Sequence, residues 1–284
     1  MGAPADNQPC RSLRGAIRIE DAVKIYENDD GGLVAVDHCS FNCAAGEITM
    51  VVGPSGCGKT TLLNAIAGFH SLTSGTIYLD DELLCGPEKL QAKPGPDRIV
   101  VFQNGALFPW KTNIENVVFG PVAQGAMLPA DARDKARSML AGAGLAGIED
   151  EYPGQISSGM RRRVEIVRAL INDPKVLLLD EPYRALDALT KSVMHEALLQ
   201  TCYRSRVTVF FITHDLEEAI FLGDQIEIMT SRPCRTKKRL KVDLPHPRDH
   251  TIVTSRRFRE LMDETIDAVR EEAAKAFRLG EREG

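Results

Sequence analysis

Short apolar runs alternate with polar, glycine-rich segments in the N-terminal part of the chain. These runs predict β-strands at 16–20, 35–42, 47–52, 75–79 and 98–102. Later apolar runs are more continuous, which is typical of strands buried on both faces of a parallel sheet. They predict further strands at 176–179, 208–213 and 224–229. A turn is predicted at 28–32, where asparagine, aspartates and glycines cluster.

A helical period appears in two other regions. Residues 113–147 are helical and loop-rich, with an amphipathic helix predicted at 130–143. A second helix is predicted at 255–278, with Ser255 as its N-cap. Its apolar positions are expected to pack on the rest of the protein: Phe258, Leu261, Met262, Ile266, Val269, Ala273 and Phe277. Its polar face mixes arginines with acidic residues, which disfavours an anionic membrane surface, so a packed helix is the preferred interpretation.

The composition is that of an ordinary globular protein. Of 284 residues, 43% are hydrophobic and 26% are charged, and the formal net charge of −5 gives no reason to expect nucleic acid as a partner. No apolar run approaches the roughly 18 residues needed to span a bilayer, and residues 1–14 are polar. We therefore expect a soluble protein that is not exported.

The seven cysteines are scattered and include no Cys-x-x-Cys pair. Cys39 and Cys43 have a loose metal-like spacing, but no second pair of ligands follows nearby. Reduced thiols are therefore the preferred interpretation. Cys57 lies in the glycine-rich segment 53–60, so a thiol reagent is expected to block binding there.

Residues 53–60 fit the phosphate-binding pattern G-x-x-x-x-G-K-[ST]. A predicted strand precedes this loop and a predicted helix follows it at 61–67, which aims backbone N–H groups and a helix dipole at an anion. Lys59 is expected to reach the β- and γ-phosphates, and the Thr60 hydroxyl to ligate Mg²⁺. The expected nucleotide-binding residues are Gly53, Pro54, Ser55, Gly56, Cys57, Gly58, Lys59, Thr60 and Thr61.

An acidic pair follows the apolar run 176–179. Asp180 and Glu181 lie where parallel sheets place ligands, at the C-terminal end of a strand. Alone, the pair is compatible with a solvated strand end. Beside a phosphate loop, Asp180 is suited to the Mg²⁺ shell and Glu181 to polarising an attacking water.

With these motifs, the sequence resembles the ATP-binding subunit of an ABC transporter over nearly its whole length. Residues 156–160 resemble the family's Leu-Ser-Gly-Gly-Gln signature through Ser157 and Gly159. Other single positions match family motifs in the family's order: Tyr26 as an adenine-stacking ring, Gln103 as the glutamine loop, Asp187 in the loop after the glutamate, and His214 as the switch histidine. Taken singly, a histidine at a strand end is usually structural and a glutamine in a loop usually faces solvent, whereas Tyr26 is as compatible with core or turn packing as with stacking.

The resemblance implies a mechanism with ATP and Mg²⁺. Two such domains face head to tail, and each ATP lies between one chain's phosphate loop and the other chain's signature. The implied signature contacts are Ser157, Ser158, Gly159 and Met160. The implied catalytic residues are Glu181 as base, His214 as γ-phosphate contact, Lys59 and Gln103. The implied metal ligands are Thr60, Gln103 and Asp180.

The resemblance also implies the architecture. It is an α/β P-loop ATPase with an N-terminal antiparallel β subdomain, a parallel-sheet nucleotide core and an inserted helical subdomain. The expected limits are 14–250 for the ATPase domain, with the helical subdomain at about 104–168, and 251–284 for a C-terminal helical tail.

Two segments are similar to the nitrate/sulfonate/taurine importer group. These are 106–110, just after Gln103, and 243–249. That similarity implies import of a small solute at the inner face of the cell membrane. The implied partners are a second ATPase subunit, integral-membrane permease subunits and, indirectly, a solute-binding protein. Trp110, the single tryptophan, is expected near the groove that receives the permease.

Two departures from the family pattern affect the expected activity. Ser158 stands where the signature has its first glycine, which is expected to weaken hydrolysis without abolishing it. Tyr183 and Arg184 are bulkier than the usual residues before 185–187, and Arg184 is compatible either with a role in communication between sites or with solvent exposure.

Other functions remain as alternatives. One is a soluble ABC ATPase outside transport, of the cofactor-assembly type. DNA-maintenance members are disfavoured because only about fifty residues separate Gln103 from the signature. Another is a nucleotide-sensing regulator with weakened hydrolysis, suggested only by Ser158. Export is also compatible with this chain, because the ATPase does not encode direction.

Overall fold

The computed structural model describes residues 13–27, 32–86, 89, 93–184 and 186–278. The predicted turn at 28–32 lies outside the described residues except for Gly32, as does Cys10. The structure is an α/β fold with two sheets, as the sequence predicts.

An antiparallel sheet forms the N-terminal part of the fold. Its strands are β1 (Ile17–Tyr26), β2 (Leu33–Cys43), β4 (Ser74–Leu79) and β5 (Glu82–Cys85). They lie in the order β2-β1-β4-β5. The sequence does not predict β5, because four residues are too few to establish an alternating pattern.

The second sheet carries the parallel core. Its strands are β3 (Ile48–Val52), β6 (Arg98–Val101), β7 (Val176–Asp180), β8 (Thr208–Thr213), β9 (Gln225–Met229) and β10 (Thr236–Lys241). They lie in the order β10-β9-β3-β8-β7-β6, with β10 antiparallel and all other neighbours parallel. Every residue of β3 and β8 is buried, which explains their continuous apolar runs. The basic segment 232–239 overlaps the first four residues of β10. Charged side chains are tolerated there because β10 is an edge strand with one open side.

Helices cover both faces of this second sheet. Their bounds are α1 (Lys59–Ala67), α2 (Asn113–Ala123), α3 (Pro129–Gly142), α4 (Ser158–Leu170), α5 (Ala188–Ser205), α6 (Leu216–Leu222) and α7 (Arg256–Arg278). α1 packs between the two sheets, whereas α5, α6 and the start of α7 pack on the opposite face. α2, α3 and α4 share an apolar cluster of their own. Among the described helices, none has the length and apolar character needed to cross a bilayer.

The predicted apolar face of the terminal helix is right at its start and wrong at its end. Ile266 is 41% exposed and Phe277 is 87% exposed. The residues that α7 buries are Phe258, Leu261, Thr265, Glu272 and Ala276. The carboxylate of Glu272 accepts from the backbone N–H of Ser231 and pairs with Lys237. This end of the helix therefore packs on the polar β9–β10 connection. A prediction that buries only apolar residues assigns the wrong residues to the buried face there.

Candidate active site

The parallel strands bring the predicted chemistry to one edge of the second sheet. The loop 53–58 follows β3, Gln103 follows β6, Asp180 ends β7 and His214 follows β8. Because β3, β8, β7 and β6 are parallel neighbours, their C-terminal ends lie at the same edge. Residues far apart in sequence therefore meet at one site.

The phosphate loop is supported from behind. Gly58 has φ 122°, and a Cβ there would stand 2.3 Å from the Ala35 carbonyl oxygen. Gly56 has φ 72°, in the region that favours glycine. Gly58 is the N-cap of α1 and offers no side-chain cap. With no side-chain cap, the first backbone N–H groups of α1 are suited to donate hydrogen bonds to an anion.

Lys59 lies inside the loop, with only 6% of the residue exposed. Its Nζ donates to the carbonyl oxygens of Gly53 and Pro54, both at 2.8 Å. The same Nζ lies 3.8 Å from Sγ of Cys57. The loop thus holds the positive charge of Lys59 in place through its own atoms.

Cys57 differs chemically from other buried thiols of the protein. A hydrogen bond with the Cys234 thiol, helped by the charge of Lys59, lowers the pKa of Cys57 to about 6 although burial opposes this. By contrast, burial raises the pKa of Cys39 to about 11 and that of Cys43 to about 12. All four are free thiols. Cys57 is therefore the one among them whose thiolate forms near neutral pH.

Two of the three predicted metal ligands are in contact. The Thr60 hydroxyl donates to the Asp180 carboxylate at 3.0 Å. Burial raises the pKa of Asp180 in spite of that hydrogen bond. Gln103 lies at the same edge, and its backbone carbonyl accepts from Arg162 at 2.7 Å. No described hydrogen bond joins the Gln103 side chain to Thr60 or Asp180.

Glu181 occupies the turn just after β7 and is held from two sides. Its φ is 42°, a conformation that non-glycine residues rarely adopt. One carboxylate oxygen lies 3.3 Å from Nδ1 of His214. The other accepts from Arg184 at 3.2 Å. The carboxylate thus faces the predicted switch histidine, and Arg184 is a third member of the group.

A buried polar network lies behind His214. The Thr213 hydroxyl donates to Glu218 and accepts from the backbone N–H of Asp215 at 3.0 Å. Glu218 is 2.8 Å from Nε2 of His195 on α5. This network is not predicted from the sequence, because its members are polar residues dispersed over α5, β8 and α6 without a motif. It fixes the backbone on both sides of His214.

Tyr26 lies at the end of β1, away from the parallel strands. Its ring is half-buried and meets His70 edge-on, with the ring centroids 6.2 Å apart. Lys24 lies 5.2 Å above the same ring. A face of this aromatic ring is therefore already engaged with a cation.

The signature segment begins a helix that faces outward. Ser157 is the N-cap of α4 and accepts from the backbone N–H of Met160 at 3.2 Å. Ser157 and Ser158 are exposed, whereas Gly159 is buried. No described contact joins these residues to the loop 53–60 of the same chain. The phosphate loop and the signature are therefore separate sites within one chain.

Gly159 packs against α5, the helix that follows β7. A Cβ at Gly159 would stand 2.8 Å from Cγ2 of Thr190 on α5. Asp187 is the N-cap of that helix and accepts from the backbone N–H of Thr190 at 3.0 Å. Asp187 and the signature thus lie against the same short stretch of α5.

Trp110 belongs to an exposed aromatic cluster. It is 70% exposed and stacks on Phe108 with ring centroids 5.5 Å apart. Phe108 also meets Phe119 edge-on at 5.1 Å and lies under Arg168 at 4.4 Å. Beside the cluster is a cavity of about 230 Å³, which Phe102, Phe119 and Arg168 help to line.

Comparison with known proteins gives a consistent result. Residues 36–184 match the profile of the ABC transporter family. The chain is 39% identical to an uncharacterised ABC transporter ATP-binding protein of Methanocaldococcus jannaschii, covering 94% of this chain and 96% of that protein. It is 38% identical to the nitrate import ATP-binding protein NrtD of Synechococcus elongatus, covering 89% and 91%.

Two further comparisons concern a transport protein and a solved structure. The chain is 42% identical to the bicarbonate transport ATP-binding protein CmpD of Synechocystis, over 82% of this chain and 81% of that protein. A dimeric ATP-binding cassette bound to ADP and Pi in a post-hydrolysis state superposes with a TM-score of 0.69. That cassette is 29% identical, and the match covers 81% of this chain and all of that one.

Proposed function

We propose, from the premise that this chain belongs to the ABC transporter family of ATP-binding proteins and is an ATPase, that it drives import of a small anion through a separate membrane permease. The nitrate and bicarbonate names of its relatives support a small anionic solute. The observation that carries the catalytic part is the contact of Glu181 with His214 beside the Thr60–Asp180 pair.

Each member of this group has a distinct role in the proposed reaction. Lys59 and the N-terminus of α1 bind the phosphates and stabilise the charge that develops during transfer. Glu181 accepts a proton from the attacking water, and His214 contacts the γ-phosphate. The backbone around His214 is held in register by the Thr213–Glu218 contact.

The oxygen donors beside the loop fit a hard divalent cation. Thr60 and Asp180 would hold Mg²⁺, with Gln103 completing the set from the same edge. When bound, Mg²⁺ supplies charge neutralisation to the phosphate oxygens. Asp180 can bind the cation only when its carboxylate is deprotonated. A bound Mg²⁺ would favour that deprotonated form.

The outward-facing signature supports a head-to-tail dimer. Its helix N-terminus is exposed and has no described contact with the loop of its own chain. We place Ser157, Ser158, Gly159 and Met160 on the ATP bound by a second ATPase subunit, where the helix dipole attracts the γ-phosphate. ATP then holds the two chains together until it is hydrolysed.

The exposed aromatic cluster around Trp110 supports the permease contact. Aromatic residues beside a cavity are suited to receive an apolar segment of a partner. Docking there would hold the ATPase at the inner face of the membrane, and the solute-binding protein would act through the permease.

The test of the catalytic assignment is ATP hydrolysis by the wild type and by Glu181→Gln in the presence of Mg²⁺. We expect the wild type to turn over and the variant to lose at least about 100-fold in kcat while still binding ATP. Wild-type turnover in the variant would refute Glu181 as the base.

The test of the partner assignment uses Trp110 as a built-in probe, since it is the single tryptophan. Adding the detergent-solubilised permease is expected to shift its fluorescence to the blue as the ring leaves water. Trp110→Ala should weaken co-purification with the permease, whereas Phe277→Ala, which removes another exposed ring, should not. Unchanged fluorescence and co-purification would refute this docking site.

A further inference from the structure

Arg184 contacts the carboxylate that the proposed reaction needs as a base. Its Nη1 donates to one oxygen of Glu181 at 3.2 Å, while His214 lies 3.3 Å from the other oxygen. Only 11% of the Glu181 side chain is exposed, against 46% of the Arg184 side chain. The guanidinium therefore stands on the open side of a largely enclosed carboxylate.

The position of Arg184 is fixed by its buried neighbour. Tyr183 is 1% exposed and packs against His195 and Phe211, with ring centroids 5.4 and 6.0 Å away. The backbone N–H of Arg184 donates to the carbonyl of Glu181, and that of Leu186 donates to the carbonyl of Tyr183. These two hydrogen bonds form a tight turn that includes Tyr183 and Arg184. The two bulky residues of this segment thus act together, since Tyr183 anchors the turn and the turn directs Arg184 at Glu181.

This contact opposes the chemistry of a general base. A base must offer an unoccupied oxygen to the attacking water, within hydrogen-bond reach. Here one oxygen of Glu181 accepts from Arg184, whose positive charge is permanent, and the other oxygen lies 3.3 Å from Nδ1 of His214.

We propose that Arg184 is a positioning residue that restrains hydrolysis by occupying Glu181, and that turnover requires it to swing away into solvent. The exposed guanidinium has room to do so. Because the Arg184 side chain is half-exposed, breaking its ion pair with Glu181 costs little free energy. The expected reduction of kcat by this contact is therefore modest. This inference rests on the proposed role of Glu181 as base.

The test compares steady-state ATP hydrolysis of the wild type and Arg184→Ala with Mg²⁺. We expect kcat to rise about two- to five-fold with KM for ATP unchanged, because the lost contact is with the base and not with the nucleotide. The matched control is Arg137→Ala, which removes an arginine from another exposed i, i+3 pair, with Asp134 at 3.5 Å on α3. Its kcat should equal that of the wild type.

A second comparison separates restraint from a general effect on structure. In the Glu181→Gln background, Arg184→Ala should bring no increase in the residual rate, because the charged partner is gone. An unchanged or lower kcat in Arg184→Ala, or an equal rise in both backgrounds, would overturn the proposal. Full turnover by Glu181→Gln alone would instead refute the assignment of the base, which distinguishes the two failures.

Discussion

The phosphate loop and the signature segment both present the N-terminus of a helix, yet they differ in how the chain supports them. Lys59 is 6% exposed and donates to two carbonyl oxygens of its own loop. Ser157 and Ser158 are exposed, and the described contacts of the signature lie along α4 and α5. One helix end is built into a site, whereas the other is displayed on a surface.

The difference indicates a division of labour. A loop enclosed by its own chain can bind the phosphates of a nucleotide without a partner. A helix end that faces outward can complete a site only when a second chain carries the nucleotide to it. We therefore expect changes in the loop to alter ATP binding by the single chain, and changes in the signature to alter only the dimer and its turnover.

The largest effect should come from Lys59→Ala. Removing the charge held in the loop is expected to lower kcat by at least about 100-fold and to weaken ATP binding by the isolated chain. Hydrolysis assays and titration with a fluorescent ATP analogue would measure the two effects. Lys241→Ala, at the exposed end of β10, is the control and should leave both unchanged. Unchanged ATP binding and turnover in Lys59→Ala would contradict the role of the loop in binding the phosphates.

The second effect is the titration of Cys57 in the loop. Because the pKa of Cys57 is lowered to about 6, its thiolate fraction rises between pH 5 and pH 7 and then levels off. Cys57 is fully buried, so its thiolate is followed by ultraviolet absorbance at the thiolate band and not by a reagent. The difference in absorbance between the wild type and Cys57→Ser should rise about 10-fold between pH 5 and pH 7 and be nearly constant above pH 7.5. An absorbance difference still rising steeply above pH 8 would contradict the lowered pKa.

The smallest effect should come from Ser158→Gly. Ser158 is the first residue of α4 and is exposed, so a glycine there removes a Cβ from the surface offered to the second chain. We expect kcat to rise about two- to five-fold, with ATP binding by the isolated chain unchanged. The melting temperature checks that α4 is intact. Equal kcat in the two proteins would show that Ser158 is no handicap.

Much of the fold could be predicted because it follows from local patterns. The buried strands β3 and β8 have continuous apolar runs, and the glycines of the loop mark a strand-to-helix connection. The edge strand β10 and the inner face of α7 could not be predicted in this way. Lys237 and Glu272 form an ion pair between them, and nothing in the local sequence shows that a charged residue there is buried.

The site shows the same limit. Lys59, Asp180 and Glu181 are recognisable because their motifs are contiguous in sequence. The contact of Glu218 with His195 joins residues 23 positions apart in separate helices, so it becomes visible only in three dimensions. The limits of the helical subdomain at about 104–168 and of the tail at 251 stay predictions.

The most direct test of the division of labour is the molecular mass of Glu181→Gln in solution with ATP, measured with and without Ser158→Asp, a change at the exposed first residue of α4. We predict that Glu181→Gln doubles from the 31.2 kDa of one chain when ATP is added. The double variant should stay at the mass of one chain while binding ATP with unchanged affinity, because an acidic side chain at the N-terminus of α4 repels the γ-phosphate of the partner. An ATP-dependent dimer in the double variant, or a loss of ATP binding by its single chain, would contradict the account.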